Sequence, residues 1–419
     1  MDTLVKNASE TKNRELAGTK ERTTRKNMNT TLFILLVSSF GVLLDGCRGQ
    51  ASSIGTHNES AVVRRSIDLS NAKETELGQM NQFFDSWSLV QLETNKDCLI
   101  GEIRKIIVQP DRLYIMDSDV AEAVFIFDRE GNWINTIARK GRGPGEYINF
   151  TDIEYDTHTQ QLYMLCGNKI MIFDRDGEYV SSVNTRFVPN EIAIADDYFV
   201  ISTTVSQGQF TSSVIICDRN MQVISQFFPR PREWNSISSR SGSPFSTYKN
   251  NIYYFPGENT YVYNIAKDSV DAKLMYDFGR FNLPENLKGP GRTPDKLRAI
   301  QAYVSHMTLF QETDKYFISA VLLNGRYYLV FNSKDNEQEY NTYIPFNHPF
   351  ILLGFGSLIG ITEDYVIAKS DADVVYRILN EQDALRAERD PEGWEYYKSQ
   401  LTRDLEEEDN PILYFYKLK

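Results

Sequence analysis

Histidine is scarce in this chain: His57, His158, His306 and His348 are the only four in 419 residues, far apart and without HExxH or any paired spacing. Zinc sites need imidazole or thiolate ligands gathered at short, defined spacings, so the scarcity argues against zinc chemistry. Cysteine is equally thin, with four residues and no CxxC pair. If Cys47 has another role (below), Cys98, Cys166 and Cys217 remain, an odd set that cannot complete a disulfide framework. Cys166 and Cys217 fall in expected strands, so buried free thiols are expected there. Positive charge is also short: 45 Lys and Arg against 57 Asp and Glu give a formal charge of −12. A general nucleic-acid binder would carry a dominant basic face, and none is expected here. There is no G-x-S-x-G, since the stretch 354–360 lacks the second glycine two residues after Ser357, which leaves serine-hydrolase chemistry unsupported. Helical periodicity is nearly missing before residue 380.

What the chain does have is aromatic residues, 24 Tyr and 24 Phe, within short apolar runs broken every ten or so positions by Asp, Asn and Gly. That texture belongs to many short strands rather than to helices. The N-terminus reads differently. Arg22, Arg25 and Lys26 precede an apolar run over 31–44 that is too short to span a bilayer comfortably and suits a signal h-region. Leu44-Asp45-Gly46-Cys47 follows and resembles the lipobox of bacterial lipoproteins, with Asp45 an unusual occupant of the middle position. The expectation is export with lipid on Cys47. A start at Met28 would leave no Lys or Arg ahead of the apolar run. Three parts result: a signal peptide with lipobox over 1–47, a flexible Ser/Asn/Thr-rich tether over 48–82, and a folded domain over 83–419.

The folded part is repetitive. VFIFDREGNWI (124–134), IMIFDRDGEYV (170–180) and VIICDRNMQVI (214–224) each give a strand, a turn and a second strand, with weaker copies at 261–270 and 327–337. Asp128 and Asp174 suit the opening of a type I turn, and Gly131 and Gly177 suit the left-handed residue that closes it as a bulge. The equivalent positions Asp128, Asp174, Asp218, Asn264 and Asn332 are separated by 46, 44, 46 and 68 residues. A second marker precedes each turn and occurs six times, as RLYIMD (112–117), QLYMLC (161–166), YFVIST (198–203), NIYYFP (251–256), YFISAV (316–321) and YVIAKS (365–370). Periods of 40 to 50 with four strands each spell a β-propeller, so an all-β fold of six four-stranded blades is expected. In the last blade, PILYFYKLK (411–419) supplies the third strand after a helical insertion over 380–409 broken at Pro391, or else DVVYRIL (373–379) is that strand. SWSLVQLE (86–93) closes the ring as the outermost strand of the last blade.

LETNKDCLIGEIRKI (92–106), LYIMD, FDREG, KGRGPGEY (140–147) and the terminal NPILYFYKLK (410–419), in that order and at that blade spacing, resemble the six-bladed β-propeller lipoproteins of Bacteroidetes, relatives of the NHL-repeat propellers. The likeness spans roughly 85–419, with the turn motif drifting in blades 4 to 6. It implies a fold and a compartment; the family has no agreed activity, so it brings no catalytic residues.

GRGPGE (141–146) is not expected to cradle phosphate, because a strand rather than a helix follows it. Asp117 and Asp119 are a fragment of a calcium-loop spelling without its glycine and distal glutamate. The positive signal lies in the long connectors over 203–212, 228–247, 279–308 and 371–409, which propeller topology gathers on one face. Three connectors are basic within this acidic chain, carrying Arg139, Lys140 and Arg142; Arg230, Arg232 and Arg240; and Arg280, Lys288, Arg292, Lys296 and Arg298. Tyr147, Trp234 and Tyr303 lie among them. A ligand-binding mouth is expected there, built by Lys140, Arg142, Tyr147, Arg230, Arg232, Trp234, Arg292 and Arg298, with guanidinium groups for bidentate contacts and aromatics for stacking. The functional expectation is a non-enzymatic, monomeric binding propeller, held to the membrane through its N-terminal lipid in the outer membrane facing the periplasm, with a protein, peptide or glycan partner and no nucleic acid. The alternative is a lyase or lactone hydrolase with a metal in the central channel; no cofactor is expected, and channel-facing carboxylates leave calcium open.

Overall fold

The computed structural model describes residues 53–54, 57–58, 62–71, 73–76, 83–230, 243–256, 260–288, 293–336, 340–347 and 358–419. Within them six antiparallel sheets form the blades of a propeller. From the axis outward, blade 1 is Lys105–Val108, Leu113–Asp117, Ala123–Phe127 and Trp133–Ile137, and blade 2 is Asp152–Asp156, Gln161–Cys166, Lys169–Asp174 and Tyr179–Asn184. Blade 3 is Glu191–Ile194, Tyr198–Ser202, Ser212–Asp218 and Val223–Pro229, and blade 4 is Phe245–Tyr248, Asn251–Tyr254, Tyr261–Ile265 and Val270–Asp277. Blade 5 is His306–Glu312, Tyr316–Leu323, Arg326–Ser333 and Tyr340–Asn347. Blade 6 is Leu358–Ile361, Tyr365–Ser370 and Ile412–Leu418, completed by Phe84–Gln91. All six LYIMD-like markers are therefore second strands, and the ring closes through the N-terminal strand as expected.

The second strands lack polar alternation because both of their faces are buried. Leu113 and Ile115 pack toward blade 6, whereas Tyr114 and Met116 pack toward blade 2. A strand buried on two sides reads as a continuous apolar run. The described core accordingly divides into six clusters, one in each seam between neighbouring blades.

The outer hairpins follow the turn chemistry of their sequences. Asp128 Oδ1 accepts from the backbone N–H of Glu130 at 3.0 Å and of Asn132 at 2.7 Å; Asp174 does the same for Asp176 and Glu178, and Asp218 for Asn220 and Gln222. Gly131 and Gly177 close their turns at φ +85° and +89°, and a register shift marks the bulge beside each. In the third copy Met221 holds that left-handed position at φ +62° with its side chain buried, so packing offsets the backbone cost.

Two expectations change. DVVYRIL is not a strand: it lies in the helix Ala372–Glu381, followed by Asp383–Arg389 and Pro391–Ser399. Pro391 begins the last helix, where its missing N–H costs nothing, and Asp390 caps that helix by accepting from Gly393 N. Trp394 and Tyr397 stack at 5.2 Å and are fully buried against the last two blades.

The second change concerns the tether. Ser53–Ile54 pairs in parallel with the outermost strand of blade 3, His57–Asn58 and Val63–Ser66 with that of blade 4, and Lys73–Glu76 with that of blade 5. Arg65, Ile67 and Leu69 are buried, the last two in the seam between blades 4 and 5. This part of 48–82 is thus a strap along the rim of the ring. Outer strands offer a row of unpaired backbone groups, which a segment without hydrophobic periodicity can satisfy through its own backbone. Ile67→Ala is therefore expected to destabilise the protein by about 2–4 kcal/mol, measured by urea unfolding; a free tether would give a change near zero.

Candidate functional site

Connectors of one class, those joining neighbouring blades and those joining second to third strands, open on the same face of the ring; the tight hairpins open on the other. The connectors over 203–211, 278–305 and 371–411 all belong to the first class, as expected. The face is tied together locally. Buried Asp117 accepts from Gly101 N and Glu102 N through Oδ2 and from Asp119 N and Val120 N through Oδ1, which joins the loop entering blade 1 to the loop inside it. Its carboxylate is occupied by backbone donors, so the calcium-loop spelling of Asp117 and Asp119 has a structural role.

KGRGPGEY curls around its own carboxylate. Glu146 Oε2 accepts from Gly143 N at 2.7 Å, and a β-carbon on Gly141 would lie 2.0 Å from that oxygen. The glycines are there to let the backbone approach Glu146, and the anion this loop holds is its own.

The eight expected mouth residues separate. Arg142 is exposed at the tip of that loop. Lys140 is exposed and ion-paired with Glu122. Arg298 projects from the helix Pro294–Gln301 with its side chain 79% exposed and pairs with Asp295 at 3.6 Å. Tyr147 is not a stacking platform: its ring is buried between blades 1 and 2, its hydroxyl donates to the carbonyls of Glu122 and Ile137, and burial pushes its phenol up. Arg230 also turns inward, donating to Thr203 O and Ser213 Oγ, and burial lowers its guanidinium. Arg232, Trp234 and Arg292 lie outside the described residues, as do Cys47 and the signal segment.

This face has a second property that charge does not reveal. Among the described residues nine large apolar side chains are exposed, and eight of them stand in these connectors: Leu99, Val120, Ile148, Val188, Val205, Leu297, Leu385 and Tyr396. Only Val180, on the rim of blade 2, does not. Leu99, Val120 and Ile148 belong to connectors joined by the Asp117 bonds, the Lys140–Glu122 pair and the Tyr147–Glu122 bond, so the three sit on adjoining loops. A lone Val or Leu in a loop carries no periodic signal, which is why the pattern emerges only from the fold.

A cavity of about 660 Å³ occupies the axis, lined from every blade, by Lys105, Glu154, Ala193, Thr247, Gln311 and Ile361 among others. Its central ionic group is Lys105, which donates to Asp152 Oδ1 at 2.9 Å and Glu154 Oε2 at 3.1 Å. Burial raises the Asp152 carboxyl to about 7 against the pull of Lys105. Burial works to lower the Lys105 ammonium, and the two carboxylates more than reverse it. A smaller cleft of about 260 Å³ lies between blades 4 and 5, lined by Arg64, Asp277, Lys288 and His306 over Met275 and Met307. Among the described residues no group of three His, Cys, Asp or Glu side chains is placed to hold a metal ion. Cys98, Cys166 and Cys217 are free and buried, and burial pushes the Cys166 and Cys217 thiols up to about 12.

Residues 64–417 match the model of a family described as Domain of unknown function (DUF4934). The chain superposes on the crystal structure of a Bacteroides fragilis NCTC 9343 protein provisionally named as exported, with a TM-score of 0.70 at 16% identity, covering 85% of this chain and 100% of that one. At that identity the likeness speaks to fold alone. BamB from Moraxella catarrhalis gives a TM-score of 0.39 at 11% identity, with 67% of this chain and 74% of that one covered. A protein of unknown function from Bacteroides caccae gives 0.32 at 10%, with 56% and 72% covered. No curated protein sequence matches.

Lys105→Met would leave Asp152 and Glu154 facing each other without their cation, at an expected cost of about 3–5 kcal/mol. The sign with pH follows from Asp152. Its folded carboxyl, already above the ordinary 3.8, rises further without the cation, so the folded state takes up a proton that the unfolded chain does not. The penalty is therefore full only above that further-raised value, on the alkaline side of about 7, and shrinks as pH falls toward about 7, below which Asp152 is protonated in both folded proteins; denaturant melts of both proteins from alkaline pH down through neutrality would measure it.

Proposed function

Since this chain belongs to the family described as Domain of unknown function (DUF4934), we propose that it is a non-catalytic docking propeller of the cell envelope, monomeric, exported and held to the outer membrane by lipid on Cys47, whose connector face binds a polypeptide partner. One observation carries this reading: among the described residues, exposed large apolar side chains are concentrated in the connectors of that face. An apolar group held in water on a well-bonded loop gains nothing for the fold, whereas apolar contacts surrounded by polar groups are what protein recognition sites offer. Leu99, Val120 and Ile148 supply the apolar centre, and the exposed guanidinium of Arg142 and ammonium of Lys140 supply the polar border. Arg298 belongs to a more distant part of the same face, in the connector between blades 4 and 5.

A polypeptide fits better than an anion or a glycan. Two members of the expected basic and aromatic set, Arg230 and Tyr147, are turned into the protein, and the anion that KGRGPGEY holds is its own Glu146.

Changing Leu99, Val120 and Ile148 together to Ser should leave the melting curve nearly unaltered, since exposed positions change stability by about 0.5 kcal/mol or less. Capture of the partner from envelope extracts by the tagged full-length protein should fall about tenfold or more, the loss expected from removing a central apolar cluster. A photo-crosslinking residue at Ile148 should trap that partner in cells, and one at Asn220 on the hairpin face should not. Equal trapping at both positions would refute the assignment of the face.

A further inference from the structure

Charge is spread unevenly along the apolar patch of the connector face. Round the ring from blade 6 to blade 2, the loop that leads back into Ile412–Leu418 comes first, then the loop of Leu99, then that of Val120, then the one carrying Lys140, Arg142 and Ile148. Neighbours in this series are joined. Asn410 accepts from Ile100 N at 2.8 Å through Oδ1, and its Nδ2 donates to the carbonyls of Glu93 and Cys98 at 2.7 Å each, so the end of the first loop is fixed to the loop of Leu99. Gly101 lets the next loop come close: a β-carbon there would lie 2.3 Å from Val120 Cγ1. Glu122 then carries the contacts on to Lys140 and Tyr147.

The first loop is an acidic turn. Asp404, Glu406, Glu407 and Glu408 are exposed and Asp409 is half-buried, and the turn closes where Asp409 Oδ2 accepts from Glu406 N at 2.8 Å. Among the described residues no cation pairs with any of these five carboxylates; the nearest in sequence are engaged elsewhere, Arg403 with Gln91 O, Gly131 O and Asn132 Oδ1, and Lys398 with Asp383 and Glu395. Beside Leu99, the exposed Lys96 and Asp97 offset each other. Farther along, Arg104 pairs with Asp119 and Lys140 with Glu122, so the middle of the patch is neutral, and Arg142 stands exposed at the far end. Like charges crowded into one turn repel and contribute nothing to the fold. The patch therefore has uncompensated negative charge at the Leu99 end and a cation at the Ile148 end.

We infer that the segment docking here is a basic amphipathic polypeptide, whose apolar side chains cover Leu99, Val120 and Ile148 and whose Lys/Arg cluster lies over 404–409. This rests on the connector face being the docking surface, and adds the partner's charge and its direction along that face. The apolar contacts supply the hold, while complementary charge selects the partner and speeds encounter. Carboxylates at one end and a guanidinium at the other favour one orientation of such a segment and oppose the reverse.

The test uses the purified full-length protein and three synthetic fluorescent peptides of equal length, which share one Leu/Ile-rich centre and end in a run of Lys, Ser or Glu. By anisotropy at about 0.05 M salt the Lys-ended peptide should bind about tenfold or more tighter than the Glu-ended one, with the difference shrinking at about 0.5 M. Changing Glu406, Glu407 and Glu408 together to Gln should bring the Lys-ended peptide down to the level of the Ser-ended one, with the melting curve unaltered. Oligolysine without the apolar centre should bind at least about tenfold more weakly than the Lys-ended peptide. A photo-crosslinking group at the Lys end should trap residues in 404–409, and one at the opposite end should trap residues in 139–148. No preference for the Lys-ended peptide, equally tight oligolysine, or trapping at exchanged positions would overturn the inference. If the Lys-ended peptide binds but changing Leu99, Val120 and Ile148 together to Ser leaves its affinity untouched, the docking face itself is misassigned, so the two failures are told apart.

Discussion

Seven backbone-paired residues hold the ring shut. Ile412–Leu418 lies between Tyr365–Ser370 and Phe84–Gln91, so the last blade is built from both ends of the folded chain. Lys419 N donates to Phe83 O, and the Phe83 ring stacks on Phe331 at 4.1 Å, so the place where a sixth outer hairpin would stand is filled by the junction of the two ends. A linear array of sheets would expose the apolar inner faces of its first and last members; closure buries them, and the six seam clusters follow from it.

The seams are then fastened by a cation from each outer hairpin reaching the blade before. Arg129 lies over the Tyr365 and Phe415 rings of blade 6, Arg175 pairs with Asp111 of blade 1, and Arg219 pairs with Asp156 of blade 2 at 2.8 Å. Lys267 pairs with Asp197 of blade 3, and Lys334 lies over the Tyr248 ring of blade 4. The largely buried Asp156 makes the Arg219 contact the strongest of these in kind, while the exposed Lys267–Asp197 pair contributes little energy.

These cations stand in plain view in FDREG, FDRDG and CDRN, where turn chemistry accounts for the aspartate and glycine, and only the neighbouring blade accounts for the arginine. What could be read in advance was whatever repeats: the six second strands, the Asp-led turns and the closing strand. What could not was whatever acts once. The strap pairs through backbone in stretches of two to four residues, too short for any side-chain period. Tyr147 sits in a polar, glycine-rich motif, yet its ring is carried into a seam by the turn its own loop makes. Charge alone points to a mouth, whereas the face is marked by isolated apolar residues whose meaning depends on which loops become neighbours.

The manner of closure also fixes an order of events during biosynthesis. The edge strand Phe84–Gln91 is among the first folded parts to be made and Ile412–Leu418 is the last, so for more than three hundred residues of synthesis the earlier strand has no partner. Such a separation gives a slow, all-at-once final step and a long-lived sticky edge in the nascent chain. A cell making this protein has to keep that edge covered until the final strand arrives.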